Sequence, residues 1–211
     1  MAEASASNQK SLCVVVCGPC GCGKTTVATE LARRLGWSLV EGDALHSEES
    51  IAKMSRGQPL TDADRLPWLR RIRTRMAESA PSVVACSALT RAYRDCLRGR
   101  EPTEPSSSGD GGDTSDPSSA ALVNCIKPVF CCLELSERAL VSRMEARVGH
   151  FMKAGMVQSQ LAIWEKASAA DEPDSVVLDG EQPVSVVVET FLAHPLARTM
   201  CSPDRGLVDH G

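Results

Sequence analysis

Residues 18–25 read Gly18-Pro19-Cys20-Gly21-Cys22-Gly23-Lys24-Thr25, preceded by the apolar run Leu12–Cys17 and followed by a helical pattern over 27–35. A strand, a glycine-rich turn ending in Gly-Lys-Thr and a helix, in that order, form the context in which such a turn binds phosphate. The unpaired backbone N–H groups at a helix N-terminus surround anionic oxygens, and glycine permits the positive φ and close approach this needs. Lys24 would reach the β and γ phosphates, and the Thr25 hydroxyl would hold Mg²⁺. The expected nucleotide site is therefore Gly18, Pro19, Cys20, Gly21, Cys22, Gly23, Lys24, Thr25 and Thr26. An ordinary strand-to-helix turn leaves the Gly-Lys-Thr ending unexplained.

With 211 residues and 43% hydrophobic content, the chain is long enough for one domain with a real core. Its net charge of −4 comes with no isolable basic face, so no nucleic-acid partner is expected. Residues 1–10 are small and polar, unlike the apolar centre of a signal peptide. No apolar stretch approaches the ~18 residues of a membrane span, so no membrane partner is expected either. The ten cysteines read as reduced cytosolic thiols rather than disulfides. Cys17, Cys20 and Cys22 have metal-like spacing, but a zinc ion there would fill the phosphate seat. The adjoining helix N-terminus would favour thiolate at Cys20 or Cys22.

Branched apolar runs alternate with helical patterns, which predicts an α/β fold of three layers, its parallel sheet of about five strands flanked by helices around the phosphate loop; a mobile lid is expected after the helix at 136–147. Strands are expected at 13–17, 37–40, 82–86, 129–135 and 175–178. Helices are expected at 24–35, 46–54, 64–80, 89–97, 136–147, 156–170 and 183–192. Ser47 is the expected N-cap of the second helix, and Pro81 the stop of the third. The organisation predicted is a tail at 1–10, a kinase domain over 11–194 and a loose tail over 195–211. Residues 99–119 are almost wholly Pro, Ser, Gly, Asp, Glu and Thr, which cannot offset chain entropy by burial and predict a disordered insertion. The lid is expected at about 143–160.

A guanine-binding switch would need an Asn-Lys-x-Asp clamp, which is missing; an ATPase machine would normally need more chain. Phosphoryl transfer to a small acceptor needs only the loop, an acid, mobile cations and a pocket. Glu41-Gly42-Asp43 ends the second strand, at the sheet edge where open α/β folds bind ligands. Asp43 is the expected group to orient the attacking hydroxyl and take its proton, and Glu41 the second metal contact through water. Arg143 and Arg147, one helical turn apart, share a face and would follow the migrating charge from the lid. His46, Arg65 and Ser87 lie at or near the same edge and suit a hydroxylated, anionic acceptor.

The order Gly42-Asp43-x-Leu45-His46, then Lys53-Met54-x-x-Gly57-x-Pro59-Leu60-x-Asp62-x-Asp64-Arg65-x-Pro67-Trp68-Leu69, then Cys86-Ser87-Ala88-Leu89-x-x-x-Tyr93-Arg94-Asp95, then Arg143-x-x-x-Arg147-x-Gly149-His150-Phe151 resembles the small phosphate-loop gluconokinases. The resemblance spans most of 12–192. It implies phosphorylation of D-gluconate by ATP with Mg²⁺ to 6-phospho-D-gluconate, feeding the pentose phosphate pathway. It also implies an adenylate-kinase-like fold with a closing lid and a cytoplasmic homodimer. The acceptor pocket it implies is Asp43, His46, Arg65, Ser87, Tyr93 and Arg94. The chain departs from the family in having Glu41 where an Asp is usual, Thr90 and Arg91 where two lysines are common, and Gln160-Leu161-Ala162 where Gln-Phe-Glu is usual. A shikimate kinase, which shares the architecture, would show Gly-Gly at Ser87-Ala88. A nucleotide-binding regulator without turnover would have no need of Lys24, Thr25, Asp43 and the lid arginines together.

Overall fold

The computed structural model describes residues 11–100, 125–146 and 155–201. The expected N-terminal tail, nearly all of the insertion, Arg147 and the rest of the expected lid over 148–154, and the end of the C-terminal tail lie outside those residues. Five strands form one wholly parallel sheet: β1 (Leu12–Cys17), β2 (Ser38–Glu41), β3 (Ser82–Ala85), β4 (Lys127–Glu134) and β5 (Ser175–Asp179), in the order β2-β3-β1-β4-β5. The three-layer arrangement follows from the two-residue period of a strand. In β1, Val14 and Val16 point into one core with Ala28 and Leu31 of α1 (Lys24–Leu35) and Val188 of α7 (Val184–Ala193). Cys13, Val15 and Cys17 point the opposite way, into a second core with Leu69 and Ile72 of α3 (Asp62–Ser79) and Leu97 of α4 (Arg91–Arg98).

Helix α1 starts and stops at the expected residues, with Gly23 and Gly36 both left-handed at its two ends. Helix α2 (Glu48–Ser55) is capped by the Ser47 side chain, which accepts from Ser50 N–H. Helix α3 begins two residues earlier than expected. Thr61 donates through both its N–H and its hydroxyl to Asp64 Oδ2, at 2.7 Å each, and Lys53 Nζ reaches the same oxygen at 2.5 Å. One carboxylate thus caps α3 and ties α2 to it. Helix α5 (Glu137–Glu145) starts at its Ser136 cap.

Two expectations fail. The helix expected over 156–170 is only α6 (Gly155–Leu161). Beyond it the chain turns into a strap across α4: Glu165 N–H donates to Leu89 O at 2.9 Å, and Glu165 Oε2 accepts from Arg91 N–H at 2.6 Å. The chain here bonds to Leu89 and to the first residue of α4 in place of continuing the helix. The second failure is the loose tail from 195. Residues Pro195–Cys201 form α8, and its Ala197 and Met200 are buried in the first core. Gly99, expected at the start of the insertion, instead caps α4 in a left-handed conformation.

Candidate active site

All five strands run the same way, so their carboxyl ends meet at one edge, and the site lies there. The phosphate loop leaves β1 and turns on Gly18 and Gly21 into Gly23, the cap of α1. Gly18 N–H donates to Ser87 O at 3.1 Å, which fastens the loop to the chain leaving β3. A methyl group at Gly18 would stand 2.8 Å from Leu133 O, so the loop can lie against β4 only because this residue has no side chain. Lys24 Nζ turns back over the loop and donates to Pro19 O at 3.0 Å.

Asp43 reaches the site through a similar economy of space. It sits in a short 3₁₀ turn, Gly42–Leu45, directly after β2. A methyl at Gly42 would be 2.5 Å from Ala85 O, so glycine alone lets the turn press against β3. Trp68 Nε1 donates to Gly42 O at 2.8 Å and pins that turn to α3. The same indole stacks on His46, with ring centroids 4.2 Å apart and planes 11° from parallel. His46 Nε2 lies 4.0 Å from Asp43 Oδ1, and its Nδ1 is buried without a hydrogen-bond partner. Burial pulls the His46 pKa down to about 4; Asp43 opposes the change, and Arg71 and Arg65 add to it. The imidazole is therefore neutral at pH 7.

Lys24, Asp43, His46, Arg65 and Ser87 line a single cleft, together with Cys20 and Gln160. Arg65 is 7% exposed and is held from behind: its Nη1 donates to Tyr93 Oη at 3.2 Å, and Tyr93 in turn donates to Asp62. Tyr93 therefore orients Arg65 rather than lining the cleft. Ala88, immediately after Ser87, has a φ of 37°, an unusual conformation for a residue with a side chain.

On the other side of the loop a second cleft is lined by Gly21, Cys22, Gly23, Thr26 and Arg143, with Gln182 and Val184 after β5. Arg143 Nη1 donates weakly to Cys22 O at 3.4 Å, which lays the guanidinium across the loop. Beside it, Thr25 Oγ1 donates to Glu41 Oε2 at 3.2 Å. Glu41 Oε1 is buried with no partner, and burial pushes the carboxyl pKa up, Asp43 adding to this against the Thr25 hydrogen bond. A hydroxyl and an acid with an unsatisfied oxygen fit a hydrated Mg²⁺, which takes few protein ligands and keeps its waters.

Arg94 is the expected pocket residue that the fold places elsewhere. It is 2% exposed, its Nε and Nη2 donate to Glu172 at 2.8 and 2.6 Å, and its Nη1 donates to the carbonyls of Ala88 and Glu165. Its guanidinium thus ties the 162–174 strap, through Glu165 and Glu172, to the turn at Ala88. The thiols also differ from expectation. Cys20 and Cys22 are buried, and burial pushes the Cys22 thiol up rather than toward thiolate. Trp68 and Gln160 entered the sequence reading only as motif positions, without a role at the site, and the loop after β5 escaped it. The Gly180-Glu181-Gln182-Pro183 turn following the last strand was the available signal for the loop.

A family model described as an AAA domain matches residues 13–100, which carry the loop, Asp43 and Ser87. The gluconokinase of Gluconobacter oxydans is 41% identical over 86% of this chain and 89% of its own length. The chain belongs to the gluconokinase family. A probable gluconokinase of Schizosaccharomyces pombe is 40% identical over 79% of each chain. The crystal structure of a gluconokinase from Sinorhizobium meliloti is 38% identical, covers 91% of this chain and 95% of its own, and superposes with a TM-score of 0.69. As a gluconokinase-family chain it is a kinase with a nucleotide-binding phosphate loop. Among the described residues, no helix is long and apolar enough to cross a membrane.

Proposed function

We propose that this kinase transfers the terminal phosphoryl group of ATP to D-gluconate, giving 6-phospho-D-gluconate for the pentose phosphate pathway. The observation that carries the reading is the shared cleft of Lys24 and Asp43: a phosphate-loop cation and a free acid face the same space, with Arg65 and Ser87 in its wall. Asp43 orients the attacking hydroxyl and accepts its proton. Arg65, aimed by Tyr93, supplies the positive charge that a sugar-acid carboxylate requires, and Ser87 offers a hydroxyl to the polyol. His46, kept neutral, steadies Asp43 without competing for the proton. Gly18, Pro19, Cys20, Gly21, Cys22, Gly23 and Thr26 form the loop around the phosphates. Lys24 and Arg143 stabilise negative charge as it moves toward the departing diphosphate.

Thr25 and Glu41 are the residues that would hold Mg²⁺. Bound there, the ion would supply neutralisation of the phosphate charge. Arg147, with Arg143, belongs to the proposed lid over 143–160, whose closure would exclude the water that competes as acceptor. The proposal includes a cytoplasmic homodimer.

The test is ADP release measured over gluconate, shikimate, glycerate and nucleoside monophosphates. Turnover is expected on gluconate, and turnover confined to shikimate overturns the reading. In the same assay Asp43→Asn should lower kcat by about 10²–10⁴-fold, the scale of a lost general base, with nucleotide affinity nearly unchanged. Equal loss of binding and turnover would give Asp43 another role.

A further inference from the structure

We propose that Gln160 positions the acceptor, its side-chain amide locked to the phosphate loop at one end and donating to an oxygen of the bound sugar acid at the other. The inference rests on the sugar-acid kinase reading above. Gln160 lies on α6, is 6% exposed, and accepts a hydrogen bond from the backbone N–H of Cys20 at 2.7 Å through Oε1. A backbone N–H can only donate, so chemistry decides which end of this amide faces the loop. The planar group then presents its NH₂ away from the loop. Nε2 meets no hydrogen-bond partner among the described residues, and Gln160 lines the cleft that holds Lys24, Asp43 and Ser87.

The position is telling because the loop is divided between the two clefts. Gly21, Cys22 and Gly23 line the nucleotide side, whereas Cys20 lines the acceptor side. Gln160 is therefore fixed at the point of the loop nearest the acceptor. An amide suits that place, because its NH₂ can donate to a ligand oxygen while its Oε1 stays bonded to the loop. The Leu161 and Ala162 departures leave this contact intact, since it needs only the glutamine.

Two near-isosteric variants separate donor from loop support. Gln160→Glu keeps an oxygen for Cys20 N–H but loses the donor; Gln160→Met loses both without adding charge. The KM for gluconate should rise at least about tenfold in both variants, whereas the KM for ATP should stay within about twofold in Gln160→Glu. Gluconate KM within twofold of wild type in either variant overturns the proposal, as does a parallel rise of both KM values in Gln160→Glu, which marks a loop-support role. If the wild type uses another acceptor and not gluconate, the substrate reading fails, and the same KM split measured on that acceptor decides the role of Gln160. Absence of turnover on every acceptor overturns both. Circular dichroism and thermal melting of each variant exclude a folding defect as the source of a KM change.

Discussion

His46 illustrates how one side chain's surroundings decide its chemistry. Motif position alone made it a candidate for contacting the acceptor; its stacking on Trp68 and its short reach to Asp43 make it a neutral support for the acid. Because its folded pKa of about 4 lies below the value near 6.5 of an open chain, the unfolded state binds more protons between those limits. The resulting stability is fully present above about pH 6.5 and is lost as pH falls through the window toward 4. Urea unfolding from pH 7 to 4 should show a decline on the order of 2–3 kcal/mol attributable to this residue. His46→Gln should flatten that part of the profile, and an unchanged slope would mean the imidazole is not held neutral by the fold. Sequence position was enough to name Lys24, Asp43, His46, Arg65, Ser87 and Arg143, which the fold brings to the two clefts. The contacts of Gln160 and Trp68 were not legible because their partners, Cys20 and Gly42, are 140 and 26 residues away along the chain.

Element boundaries were legible wherever a local stop or cap operated, as with the Gly36 end of α1, the Ser47 cap of α2 and the Ser136 cap of α5. They were illegible where tertiary bonds overrode helical pattern, and the strap at 162–174 is the clearest case. Its anchor is ionic. Glu172 receives Arg94 at 2.6 Å and Arg98 at 2.8 Å, all three side chains being at most 4% exposed, and Arg98 also pairs with Asp174 at 2.7 Å. Burial alone would raise the Glu172 pKa, but the two guanidinium partners hold it below the usual value. Removing one partner of such a cluster leaves charge buried and uncompensated. Glu172→Gln should therefore cost about 3–5 kcal/mol in chemical denaturation while the folded enzyme keeps its KM for gluconate. A raised KM with unchanged stability would return Arg94 to the acceptor pocket.

At the scale of the whole molecule, the parallel sheet explains why both clefts share the phosphate loop. Every strand delivers its chain to the same edge, so the loop after β1 lies between the turn after β2, the turn after β3 and the loop after β5. The fold class was readable from the strand-helix alternation, because a buried parallel sheet requires near-continuous apolar strands. The strand order was not, since register and neighbour choice depend on packing across the sheet. The shared loop makes nucleotide binding a stabiliser of the entire domain, as ligand that binds only the folded state adds RT ln(1 + [L]/Kd). With nucleotide at about 100 times its Kd the gain is about 2.7 kcal/mol, which for a chain of this size raises Tm by roughly 5–10 °C. Mg²⁺–ATP should produce that shift, and chelating the metal should reduce it by removing the Thr25 and Glu41 contacts. Lys24→Met should abolish most of the shift while leaving the ligand-free Tm close to wild type, because among the described residues its side chain bonds to Pro19 O alone. A full shift in that variant would place the phosphates away from the loop.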